Sequence, residues 1–307
     1  MHRLNTMTTH LTAECVLPLR GGGGPKGECP VWDSRLRALY WVDIDGHSVH
    51  RFDPATQRDE ACDVAEQIGS LALRSETGQL LIATRSGLHF LDFANAVKRF
   101  LVAPEPGQPL NRMNDGRCDP SGRFWVGSMR DPSSPADRYG ALYQVERDLR
   151  CTRMLDGLGT PNGLAFSPDG RTMYFSDSNT TVRTIWAFDL DVASGTLSNR
   201  RVFAHTHGAE GRPDGACCDA DGGYWSAHID GGKVVRYDPA GRVDRVVMLP
   251  VKWPSMVAFG GSRLDTLFIT TIRRGGAAME WPEQPLAGSL FACVPGVCGL
   301  AEPVFGA

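Results

Sequence analysis

The chain has 307 residues, 42% of them hydrophobic and 22% charged, the balance of a globular protein that buries a full core. A formal net charge of -3 leaves no basic surplus to neutralise phosphates, which argues against a nucleic-acid partner. No apolar run approaches the roughly 20 residues that span a bilayer, so no membrane partner is expected either.

The N-terminus, MHRLNTMTTHLTAEC, lacks the apolar core of a secretory signal. Residues 1–10 read as a flexible tail, and a single domain is expected over residues 11–307. Nine cysteines, an odd number with no C-x-x-C pair, read as reduced thiols in a cytoplasmic protein. Nothing in the composition speaks to oligomeric state.

In chain order, residues 13 to 19 (AECVLPL) form a short strand without a repeat of their own. The glycines at 21 to 24 form a loop. Gly21 to Lys26 superficially resembles a phosphate loop, but no G-K-[ST] ending or helix follows. From Glu28 onward one pattern recurs: an apolar strand, a turn with Asp, Gly or Pro, and an aromatic-rich second strand. Its sharpest copies are NDGRCDPSGRFWVGSM, NGLAFSPDGRTMYFSD and DGACCDADGGYWSAH. Looser ones are ECPVWDSRLRALYWVD, GSLALRSETGQLLIAT and SMVAFGGSRLDTLFITT. Third strands follow, as at Ser48 to Asp53, Thr184 to Asp189 and Lys233 to Asp238.

Six copies spaced about 41 to 52 residues apart predict an all-β, six-bladed β-propeller. A β-sandwich of the same strands is the alternative, but it has no reason to repeat six times. The strand at 13 to 19 is expected to close the ring. It adds the outer strand to the last blade, whose other strands lie near Met256 to Phe259, Leu267 to Ile272 and Ser289 to Val294.

In a propeller the first strand of each blade lines the central channel. Aligning the repeats on their turns brings Glu28, Gly69 or Ser70, Asn114, Asn162, Asp214 and Ser255 to one channel mouth. Carboxylate and amide oxygens without sulfur or imidazole suit a divalent cation: Ca²⁺, Mg²⁺ or Mn²⁺, with Zn²⁺ and Fe²⁺ also open. The competing reading is that Asn, Asp and Gly merely cap turns.

Four motifs then carry a resemblance. They are Gly-Glu-x-Pro-x-Trp at Gly27 to Trp32, Arg-x-Asn-Asp-Gly at Arg112 to Gly116, Pro-Asn-Gly at Pro161 to Gly163 and Pro-Asp-Gly at Pro213 to Gly215. Together they resemble the SMP-30/gluconolactonase/LRE family, which includes regucalcin and bacterial aldonolactonases, over about Glu14 to Phe291. The resemblance implies Glu28, Asn162 and Asp214 as metal ligands. A ligand carboxylate can also take a proton from water, and Asp214 is expected to be that catalytic base, with Glu28 mainly a ligand. The resemblance also implies Arg112, Asn114 and Asp115 as substrate-binding residues, and hydrolysis of a pentono- or hexono-lactone to the open sugar acid in carbohydrate catabolism. A non-catalytic calcium- or ligand-binding propeller and a metal-dependent esterase on other lactones or esters are the rivals. A serine hydrolase is disfavoured because no G-x-S-x-G elbow is present.

Two departures from the family stand out. Cys29 occupies the position after the first glutamate, where glycine is usual. The loop after Met129 has Arg130 and Asp131 where animal members have an acidic pair. His205-x-His207, His228 and Asp177 are secondary candidates for metal or substrate contacts.

Overall fold

The computed structural model describes residues 8–18, 25–274 and 283–306. Within them the chain is all-β, with six separate sheets and no helix, so none is long and apolar enough to cross a membrane. The glycine loop at 21 to 24 lies outside the described residues.

Each sheet is one blade. Blade I comprises Gly27–Asp33, Ala38–Asp43, Ser48–Asp53 and Arg58–Asp63. The inner strands of blades II to VI are Ile68–Leu73, Asn111–Cys118, Pro161–Phe166, Arg212–Cys218 and Pro254–Gly260. Each inner strand packs on the inner strands of both neighbours, and the last returns to the first, which closes the ring. Burial follows from that geometry. Asn111–Cys118 is buried at every residue, whereas the outer strand Leu197–His205 of blade IV is mostly exposed.

The core is distributed rather than central. Six clusters of buried side chains lie between successive blades; one joins Trp125 and Leu142 of blade III to Leu164 and Phe175 of blade IV. A sandwich would place one core between two sheets, and that alternative is excluded.

The turns between inner and second strands form as their residues dictate. Gly170 N–H donates to Ser167 C=O at 2.8 Å, and Gly122 N–H to Asp119 C=O at 2.9 Å. Asp119 and Asp219 act identically in blades III and V. Each accepts two backbone N–H groups of its turn with Oδ1 and the indole N–H of the following tryptophan, Trp125 or Trp225, with Oδ2. The sequence repeat is thus a repeat of hydrogen bonding.

Ring closure falls where expected. Glu14–Leu17 pairs antiparallel with Leu290–Cys293 as the outer strand of blade VI, beside Thr266–Thr271. The chain before it is more ordered than a tail: Thr9–Thr12 adds a parallel fifth strand to Val243–Met248 of blade V. Residues 1–7 lie outside the described residues.

Candidate metal and substrate site

All six inner strands break register with their second strands at the same height. The shifts fall between Glu28 and Val31, Ile68 and Ser70, Met113 and Gly116, Asn162 and Ala165, Pro213 and Ala216, and Pro254 and Met256. A bulge inserts unpaired residues and re-aims the side chains around it. Here it turns Glu28, Asn114, Asn162 and Asp214, from blades I, III, IV and V, toward the channel mouth. A cavity of about 810 Å³ opens there, and Glu28, Arg112, Asn114, Asn162 and Asp214 line it.

These five residues are brought together; Gly69 and Ser255, at equivalent positions, do not reach the wall. Ser255 is spent inside the ring, its hydroxyl donating to Gly27 C=O at 2.5 Å. Asp115 also differs from its expected role as a substrate contact. It is buried below the cavity and its Oδ2 accepts the Leu164 N–H at 3.0 Å. Neighbouring strand residues point to opposite sides, so a strand that aims Asn114 at the cavity aims Asp115 at the backbone of blade IV.

A chain of hydrogen bonds crosses three blades. Arg112 Nη1 donates to Asn114 Oδ1 at 2.8 Å, and Asn114 Nδ2 to Asn162 Oδ1 at 3.1 Å. Asn162 Nδ2 donates to Asp214 Oδ1 at 2.6 Å and to Ser178 Oγ at 2.8 Å. The Ser178 hydroxyl passes the chain on to Pro213 C=O. Each amide therefore holds the next side chain in one orientation. The Arg130–Asp131 departure finds its place here as well: Asp131 Oδ2 lies 3.5 Å from Arg112 Nε and 2.9 Å from Arg85 Nη2.

The electrostatics of the carboxylates are set first by burial. Burial, then the neighbouring Asp214 and Asp115, hold the Glu28 carboxyl well above the usual carboxylate range. Burial also pushes Asp214 up to about 7 and Asp115 to about 6. Glu28 accepts no hydrogen bond among the described residues. Two carboxylates and an amide oxygen with a lone pair to spare fit a hard divalent cation. Among the described residues no group of three or more His, Cys, Asp or Glu is gathered to hold a metal, so the amide of Asn162 is essential to this set.

The secondary candidates have structural work. Asp177 accepts the backbone N–H groups of Gly159, Thr160 and Asn179. His228 is buried and bonded to the Tyr237 hydroxyl at 3.2 Å, and burial pushes its pKa down to about 3. His205 and His207, with ring centroids 6.1 Å apart, lie at the end of the outer strand of blade IV and do not line the cavity. Cys29 adopts a left-handed backbone, φ 46°, which explains why glycine is usual there. All nine cysteines are free thiols.

Sequence reasoning missed Ser178 and the basic wall of the cavity, Lys26, Arg212, Arg273 and Arg274. Arg212 had a signal: two residues before Asp214 on one strand, it shares that residue's face.

The model of the SMP-30/gluconolactonase/LRE-like region matches residues 26–273. The chain belongs to this family. A relative from Pseudomonas putida named 6-deoxy-6-sulfogluconolactonase is 42% identical, over 91% of this chain and 94% of its own length. One from Azospirillum brasilense named L-arabinolactonase is 35% identical, covering 91% of each. Among solved structures, a calcium-binding protein, regucalcin, from Agrobacterium tumefaciens superposes with a TM-score of 0.87 at 28% identity, covering 97% of this chain and 99% of that one. The family expected from the four motifs and the propeller expected from the six repeats therefore stand.

Proposed function

We propose that this chain is a lactonase that opens a sugar lactone to the free aldonic acid, with a divalent cation held by Glu28, Asn162 and Asp214. The observation that carries the reading is the convergence of these three oxygen-bearing side chains, from blades I, IV and V, on one cavity beside a buried arginine. The lactonase names of two relatives support the reaction class, and the calcium-binding regucalcin neighbour supports a cation.

A bound divalent cation supplies Lewis acidity toward the lactone carbonyl. The protein's own groups do the rest. Asp214 Oδ1 is occupied by Asn162 Nδ2, which leaves Oδ2 to take a proton from the attacking water. The same carboxyl returns that proton to the ring oxygen as the C–O bond breaks, so the acid and base steps balance. Glu28, with no donor of its own, serves as a ligand. Arg112 is held by Asn114 and Asp131, and its planar fork orients the sugar hydroxyls. A site built only to store a cation has no use for a guanidinium at its edge.

The decisive experiment is hydrolysis of a panel of aldonolactones, followed with a pH indicator, with and without chelator. Chelation should abolish activity and added cation restore it. Asp214→Asn at saturating cation should lower kcat by about 10²–10⁴-fold. Full activity of Asp214→Asn would remove the base assignment, and no chelator-sensitive turnover of any sugar lactone would leave a non-catalytic binding protein.

A further inference from the structure

Three arginines share one wall of the cavity, at the junction of blades V and VI: Arg212, Arg273 and Arg274. Among the described residues, Asp230 is the carboxylate seen to reach two of them. Asp230 lies 3.4 Å from Arg212 Nη2 and 3.1 Å from Arg274 Nη2, and it also accepts the Trp253 indole N–H at 3.0 Å. The Arg274 guanidinium stands over the Trp253 ring, 5.3 Å from its centroid. Asp230 and Trp253 thus buttress two guanidinium groups from behind. Arg273 has no hydrogen bond or ion pair from its side chain among the described residues, and its Nε is shut off from solvent. The Arg212 Nε is likewise buried without a partner.

Like charges gathered this closely repel one another, and the Arg212 and Arg273 Nε groups are left without a partner among the described residues. A planar fork of donors matches phosphate, sulfonate or carboxylate oxygens two at a time. The neutral hydroxyls of a plain sugar require far less. Position matters as well. Arg212 precedes Asp214 by two residues on an extended strand, about 6–7 Å along it, comparable to the span of a sugar lactone from its carbonyl to its far end. Asp43 and Asp45 also line the cavity but are engaged by Lys26: Asp43 accepts its backbone N–H at 2.9 Å, and Asp45 lies 3.8 Å from its ammonium group.

We infer that Arg212, Arg273 and Arg274 form an oxyanion-binding subsite, and that the substrate is a lactone bearing a negatively charged group at the carbon farthest from its carbonyl. The inference rests on the lactonase reading and narrows its substrate class. Arg273 is the principal contact because no acceptor among the described residues competes for its side chain. Arg212 and Arg274, already leaning on Asp230, complete the cradle.

The test compares hexono-lactones that differ only at carbon 6, carrying hydroxyl, carboxylate, phosphate or sulfonate, on the cation-loaded enzyme. At least one charged lactone should exceed the neutral one in kcat/KM by about 100-fold, as two charge-assisted hydrogen bonds allow. The charged member that is preferred identifies the anion. Arg273→Met should lower the ratio of charged to neutral kcat/KM at least about 10-fold, mainly through KM. Raising ionic strength should lower the same ratio. Equal turnover of neutral and charged lactones, or an equal loss on both with Arg273→Met, overturns the subsite. If no lactone is turned over, the lactonase reading fails by itself. Calorimetric binding of the 6-sulfonated and 6-phosphorylated aldonates then decides the subsite, and equal affinity in the parent and Arg273→Met overturns it.

Discussion

Glu28 and Asp214 pose an electrostatic problem that a cation resolves. Burial pushes both carboxyls upward, Asp214 to about 7, and the charges of Asp214 and Asp115 add to the effect on Glu28. Without a cation, the folded chain keeps a proton on Asp214 that the unfolded chain has released, between the ordinary carboxylate range and about pH 7. Folded stability contributed by this group therefore falls as pH rises through that window. Cation binding requires the deprotonated form, so at low pH the ion competes with protons. Thermal unfolding of chelated and Ca²⁺-loaded protein should show a larger gain on loading at pH 8 than at pH 5. A tenfold difference in affinity corresponds to about 1.4 kcal/mol at fixed cation concentration. In Asp214→Asn the pH dependence of the gain should shrink. An identical gain at both pH values in the parent protein would place the cation away from these carboxylates.

The six bulged inner strands convert a repeat in sequence into a ring of side chains. They also explain what sequence reading achieved and where it stopped. Turn residues such as Asp119 and Asp219 repeat with the same spacing from their inner strands, so aligning on turns put Glu28, Asn114, Asn162 and Asp214 at one height. The bulge itself has no signature, and a reader counting along the strand cannot tell that Asn114 faces the cavity while Asp115 faces Leu164. Gly163 and Cys29, each next to a proposed ligand, show what the bulge demands. Gly163 sits at φ 67°, and a Cβ there would meet Ser176 Oγ and Tyr224 Oη at 2.5 Å. Cys29 sits at φ 46° with its thiol in the core, its sulfur accepting the Leu71 N–H at 3.2 Å, which offsets the cost of the left-handed backbone. Gly163→Ala should therefore destabilise the protein by about 2–4 kcal/mol through backbone strain and overpacking. It should also weaken cation binding by displacing Asn162. Denaturation with and without cation measures both, and a Gly163→Ala protein as stable as the parent would refute the constraint.

Two devices hold the ring shut, and only one was legible. The strand Glu14–Leu17 was readable as the missing member of blade VI because it has strand character and no repeat of its own. The C-terminal segment has neither period nor strand pattern, so its course was not legible. It crosses the channel end opposite the cavity. Ala220 of blade V donates to Cys298 C=O, Gly299 to Leu264 C=O of blade VI, Phe305 to Leu73 C=O of blade II and Gly306 to Gly122 C=O of blade III. Phe305 is buried between blades II and III, and Glu302 pairs with Arg117 of the channel wall at 3.1 Å. Both partners are largely buried, at 8% exposure for the Arg117 side chain and 13% for Glu302. Removing one member of such a pair strands the other charge, at a cost of about 3–5 kcal/mol, whereas replacing both by apolar groups costs far less. Glu302→Ala should thus lower the Tm clearly, and Glu302→Ala with Arg117→Met should recover most of the loss. The proposed lactone site lies at the other mouth, so the lactonase KM of Glu302→Ala at a temperature where it is folded should stay near the parent value. A Glu302→Ala protein with parental Tm would mean that the segment lies over the channel without fastening it.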